Sequence, residues 1–125
     1  MALIVVIDDD PDFREMLQDV LTNEGHSVAT AVDGNDGVRV VRQKKPDLVI
    51  TDILMPEKEG IETIQELRAD NESLPIIAVS GGSRHLPSQV GLKVAAHMGA
   101  VITLSKPVAI ADLIDAVDSL LPGNK

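Results

Sequence analysis

The chain contains no cysteine, no tryptophan and no tyrosine, and its 125 residues include one phenylalanine, Phe13. Without cysteine neither disulfides nor thiolate metal sites can form, which is compatible with a reducing compartment. With a single phenylalanine ring there is no set of stacking platforms for single-stranded nucleic acid, and the core has to be built mainly from aliphatic side chains. Basic residues are scarce as well. Eleven Lys and Arg against twenty Asp and Glu leave a formal net charge of −9, a balance that repels a phosphate backbone and favours basic or cationic partners. No apolar run approaches the length of a membrane span. The apolar start at residues 1–7 lacks the basic region and the length of a signal peptide before Asp8, Asp9 and Asp10 interrupt it. The expectation is a cytoplasmic protein that touches neither a membrane nor nucleic acid directly.

At 44% hydrophobic and 25% charged, the composition is that of an ordinary globular protein, not a disordered or fibrous one. Its length suits one domain over residues 1–125, with no internal linker and no output domain, able to bury roughly two thirds of its unfolded surface. Short apolar runs alternate with helical periodicity. Residues 3–7, 27–31, 48–51, 76–79 and 101–104 read as strands, and the first, continuous and β-branched, suits a parallel sheet covered on both faces. Between them, Asp10-Pro11 opens a helix as N-cap and first residue, with Phe13, Met16, Leu17, Val20 and Leu21 on one face and Gly25 beyond its end. A modest helix follows Asp33-Gly34 to Lys44, with Val38 and Val41 inward. Further helices are expected near 60–69 (Ile61, Ile64, Leu67), near 90–98, and from about Ala109, where Ile110, Leu113, Ile114, Val117, Leu120 and Leu121 form the expected buried stripe. Five βα units with right-handed crossovers make an α/β, doubly wound, five-stranded parallel sheet, a flavodoxin-like three-layer sandwich.

In such a sheet the carboxyl ends of the strands share one rim, where ligands bind. Here each of four runs delivers a polar residue to that rim: Asp8 and Asp9, Asp52, Ser80, and Lys106. Three carboxylates, a hydroxyl and an ammonium suit a divalent cation together with a phosphoryl group, since oxygens ligate a hard cation and the ammonium answers phosphate charge. Adjacent Asp8 and Asp9 repel each other unless a cation offsets the repulsion. Taken alone they read equally well as an acidic cluster at a helix N-terminus, and Asp10 is assigned to capping. Asp52 follows an apolar strand, so its carboxylate emerges at the rim, where it can act as a nucleophile toward phosphorus. Ser80 before two glycines and Lys106 before Pro107 are each ordinary as turn and surface residues. Their joint placement gives them meaning. His26, beside Gly25 in a turn, and His85 and His97 read as plain polar residues.

The segments Ile7-Asp8-Asp9-Asp10-Pro11, Thr51-Asp52-Ile53-Leu54-Met55-Pro56, Val79-Ser80-Gly81 and Leu104-Ser105-Lys106-Pro107 resemble the four motifs of bacterial response-regulator receiver domains, in order and over the whole chain. The resemblance implies that Asp52 accepts a phosphoryl group from the histidine of a sensor kinase or a histidine phosphotransfer protein. It implies Mg²⁺ (or Mn²⁺) on Asp8, through water, and on Asp9, Asp52 and the backbone carbonyl of Leu54, with Ser80 and Lys106 on the phosphoryl oxygens. It also implies a cis peptide between Lys106 and Pro107, and a switch made by Ser80 with the residue three before the lysine.

That last position departs from the family. Receivers usually carry Tyr or Phe there, and here it is Thr103, which places more of the signalling load on the loop at 81–88, where paired glycines permit unusual backbone angles. Leu54 and Gly82 occupy the two places that tune phosphoryl lifetime. Leu54 offers no polar group to orient an attacking water, whereas Gly82 leaves the site open; on balance the pair points to a longer-lived phosphoryl form. An aspartyl-phosphate phosphohydrolase would need an acid where Leu54 stands. The remaining alternatives are a phosphorelay intermediate and a degenerate receiver that binds partners constitutively, the latter supported by Thr103 and opposed by the intact acids. Asp112, Asp115 and Asp118 on the last helix suit a basic downstream partner on the docking face that the resemblance implies.

Overall fold

The computed structural model describes residues 2–53, 60–80 and 102–121. Five strands, β1 (Leu3–Ile7), β2 (Ser27–Ala31), β3 (Leu48–Asp52), β4 (Ile76–Ser80) and β5 (Ile102–Ser105), form one parallel sheet in the order β2-β1-β3-β4-β5. The register runs Ile7 opposite Ala31 and Thr51, Asp52 opposite Val79, and Ser80 opposite Ser105, so the carboxyl ends of β1, β3, β4 and β5 lie side by side. Four helices are described: α1 (Pro11–Asn23), α2 (Gly34–Lys44), α3 (Gly60–Asp70) and α4 (Ile110–Leu120). The helix expected near 90–98 lies outside the described residues.

Strand alternation explains the layering. Val5, Ile7, Val49, Ile76 and Ala78 point to one face and pack with Val38, Val41, Ile64 and Leu67 of α2 and α3. Ile4, Val6, Leu48, Ile50, Ile77 and Val79 point to the other, against Leu17 and Leu21 of α1 and Leu113, Ala116 and Val117 of α4. Both faces of β1, β3 and β4 are covered, so an unbroken aliphatic run costs nothing in exposure there.

Local chemistry sets the helix starts. Asp10 caps α1, its Oδ1 accepting from the backbone N–H of Asp12 at 3.0 Å and of Phe13 at 3.5 Å. Asp33 caps α2 through the Asp36 N–H at 2.8 Å. α1 ends at Asn23, and Gly25 follows with φ 94°, a conformation open to glycine at little cost.

Three details differ from the sequence reading. β3 runs on through Asp52 and β4 through Ser80, because both residues pair with the neighbouring strand. Ile110 is half exposed instead of buried: it is the first residue of α4, and the fully buried part of that helix begins one turn later at Leu113. His26, expected in a turn beside Gly25, lies just past that turn and is buried, its Nδ1 accepting the Ala2 N–H at 3.2 Å.

Candidate functional site

The rim brings Asp8, Asp9, Asp52, Ser80 and Lys106 to the ends of neighbouring elements, as the strand order requires. Asp8 leaves the end of β1 with its backbone N–H bonded to Ala31 O at 3.1 Å, and its side chain is buried while that of Asp9 is exposed. Asp52 closes β3 and Ser80 closes β4; both are buried. The Lys106 N–H bonds to Ser80 O at 2.8 Å, which ties the turn after β5 to the end of β4. From there the lysine reaches back across the rim: Nζ donates to Asp8 Oδ2 at 3.0 Å and to Asp52 Oδ2 at 3.1 Å. The Lys106-Pro107 peptide is cis, as the resemblance implied.

The Asp8 carboxylate is divided between two tasks. Its Oδ1 accepts the Asp10 N–H at 2.8 Å, which shapes the turn into α1, and its Oδ2 takes the lysine. Burial pushes its pKa up to about 6, aided by the Asp52 charge and opposed by the Asp10 N–H and by Lys106. Burial by itself would lower the Lys106 pKa, but the charges of Asp52 and Asp8 and their hydrogen bonds outweigh it, and the ammonium is held above its ordinary value. A buried carboxyl that resists ionising beside a lysine that resists neutralising is an electrostatically unfinished site.

One carboxylate oxygen from each of Asp8, Asp9 and Asp52 lies within 4.8 Å of the others. Oxygen donors so grouped fit a hard divalent cation, and a cation there would offset the burial and, after it, the Asp52 charge that raise the Asp8 pKa. Leu54, expected to add its carbonyl, lies outside the described residues, as do Gly82, the loop at 81–88, His85 and His97. Thr103 sits half-buried in β5 opposite Ala78.

Two residues at the site escaped the sequence reading. The Arg14 Nη1 donates to Asp8 O at 2.7 Å, fixing the backbone between the two acids. Phe13, assigned only to the buried stripe of α1, places its ring centroid 4.2 Å from Lys106 Nζ. Neither carries a spacing signal, since an arginine in a first helical turn and an apolar residue on a helix face are both commonplace.

Comparison with known proteins agrees with this geometry. The chain is 34% identical over 125 residues to protein PilH of Pseudomonas aeruginosa, covering 98% of this chain and 100% of PilH. It is 35% identical over 120 residues to the transcriptional regulatory protein GlrR of Escherichia coli, covering 96% of this chain but 26% of GlrR. Among solved structures, a response regulator receiver domain protein from Clostridium thermocellum superposes with a TM-score of 0.88 at 28% identity, over 96% of this chain and 94% of that one. The receiver domain of NtrX from Brucella abortus superposes with a TM-score of 0.88 at 26% identity, over 96% and 98%. The family model for the response regulator receiver domain matches residues 4–118. An acidic strand-end cluster, a lysine laid across it, this sheet order and these relatives lead to one conclusion: the chain belongs to the response regulator receiver domain family of two-component signalling.

Proposed function

We propose that Asp52 is the phosphoacceptor, that a sensor histidine kinase or histidine phosphotransfer protein is the donor, and that phosphorylation switches a protein-docking surface. The observation that carries this reading is the lysine bridge. Lys106 Nζ contacts both Asp8 and Asp52, so an ammonium already sits where the oxygens of a phosphoryl group on Asp52 would lie. In the transfer, an Asp52 carboxylate oxygen attacks phosphorus, the bond from phosphorus to the donor nitrogen breaks, and the released imidazole keeps the electron pair. The Lys106 ammonium passes from carboxylate to phosphoryl oxygen, and the Ser80 hydroxyl takes a second oxygen. Mg²⁺ (or Mn²⁺) held by Asp8, Asp9 and Asp52, with the carbonyl of Leu54, would offset charge on the transferring oxygens.

The acyl phosphate adds a charge of about −1.5 to −2 at the rim, and the switch consists of the rearrangement of Ser80 and Lys106 that this charge demands. Thr103 is too small to act as the usual aromatic rotor beside them. The output is docking of a protein partner, and the exposed acids Asp112, Asp115 and Asp118 of α4 suit a basic one. No described helix is long and apolar enough to cross a membrane, consistent with action in the cytoplasm. Self-phosphorylation and its reversal are the extent of the catalysis proposed.

Intact-protein mass after incubation with acetyl phosphate and Mg²⁺ tests this, beside an Asp52→Asn variant and an EDTA control. The expected result is one phosphoryl group on the wild type with metal and none on the other two. No gain in any sample would overturn the reading in favour of a constitutive binding module.

A further inference from the structure

Lys106 Nζ has three N–H donors and no acceptor. Two are used on Asp8 and Asp52, at 3.0 and 3.1 Å. Across from the carboxylates lies the face of Phe13, its centroid 4.2 Å away and well inside the range over which a cation is attracted to an aromatic ring. The lysine side chain is 21% exposed, so this attraction acts where water is largely displaced and screens it least. The ring is also held in place. Phe13 is the third residue of α1, and its N–H is one of the two that Asp10 caps, so the device that starts the helix also sets the height of the ring. Phe13, Met16, Pro107 and Val108 line one shallow groove with the lysine stem, and Phe13 packs against the α1/α4 side of the core.

We propose that Phe13 is a positioning residue for the phosphoryl chemistry: its ring face holds the Lys106 ammonium at the rim, against the acids and in the path of the incoming phosphoryl oxygens. The feature particular to this chain is that its one Phe, Tyr or Trp side chain lies against the cation that bridges Asp8 and Asp52. The flexible four-carbon stem of lysine has many alternative rotamers leading to solvent; the ring makes the rim-directed one the favoured state in the absence of any phosphoryl group. This inference rests on Asp52 being the acceptor.

With a single phenylalanine in the chain, growth on 3,4,5-trifluorophenylalanine replaces this ring alone, keeping its shape and draining the negative charge from its face. The fluorinated protein, a Phe13→Leu variant and the wild type are compared by rate of phosphoryl gain from acetyl phosphate with Mg²⁺, and by the Lys106 Hε signals in NMR spectra of the full chain. The expected outcome is a second-order rate about threefold to thirtyfold lower for both altered proteins, with Lys106 Hε protons shifted upfield by the ring in the wild type and at ordinary positions in Phe13→Leu. A fluorinated protein as fast as the wild type, or wild-type Hε protons with no ring shift, would overturn the proposal. A wild type that gains no phosphoryl group instead sinks the acceptor assignment, and the Hε signals then decide the contact by themselves.

Discussion

Asp8 is the residue at which folding and function oppose each other most directly. Its side chain is buried, it lies against a second carboxylate, and its pKa stands near 6 against an ordinary value of 3.8. A folded-state pKa above the unfolded one means that the native protein binds the proton more tightly, so metal-free stability declines as pH rises from about 4 to about 6 and is then flat as far as Asp8 is concerned. An Asp8→Asn variant keeps the acceptor for the Asp10 N–H and mimics the neutral acid. It should be more stable than the metal-free wild type at pH 7 by about 1–3 kcal/mol and should lose the decline between pH 4 and 6. Urea unfolding at pH 4, 5, 6 and 7 in EDTA checks both; an Asn variant less stable at pH 7 would mean that the Lys106 bond outweighs burial. The same variant should accept phosphoryl more slowly, the usual exchange of stability for activity at a strained site.

At the scale of elements, the site depends on how closely α2 approaches β1. Gly37 of α2 faces Ile7, whose Cγ1 would lie 2.8 Å from a Cβ added at that glycine, and Ile7 is fully buried with nowhere to swing. Gly37→Ala gains about 1 kcal/mol of helix propensity and costs about 1–3 kcal/mol in overpacking. The expected balance is a net loss, read as a lower unfolding midpoint, together with shifted amide resonances at Asp8 and Asp9, which follow Ile7 directly. A midpoint equal to or above that of the wild type would show that the layers can part. Elements of this kind were largely legible in the sequence, because a strand covered on both faces has to be an unbroken aliphatic run and a helix beside it has to repeat its apolar residues. The rim residues were legible for the same reason, each standing where such a run stops. Ile110 was misread because periodicity reports which face of a helix is apolar and not where the neighbouring sheet ends. The second role of Phe13 was hidden because a ring that meets a cation and a ring that meets leucines occupy the same helical position. The burial of His26 depends on the nearby Ala2 amide, which only the pairing of β1 with β2 brings there.

For the whole molecule, a net charge of −9 with three acids gathered at one rim makes counterions part of the stability. Mg²⁺ should raise the unfolding temperature more than NaCl of equal ionic strength, since a bound ion acts by mass action, worth about 2.7 kcal/mol at a hundredfold excess over its dissociation constant, whereas salt acts only by screening. The difference should vanish when Asp9 is replaced by Asn, and scanning calorimetry in the two salts settles it; an equal shift from both would leave no specific site. The same architecture also carries a clock. Asp8 and Lys106 meet across 98 positions of chain, so at ordinary synthesis speeds the lysine is made roughly 5–20 s after the aspartate. For the last part of that interval, once Asp52 has been made 54 positions ahead of Lys106, the nascent polypeptide has its acids without their ammonium. A ribosome-bound or prematurely stopped copy that lacks Lys106 therefore has no ammonium to lay across Asp8 and Asp52, and the assembled rim belongs only to chains that have passed this position.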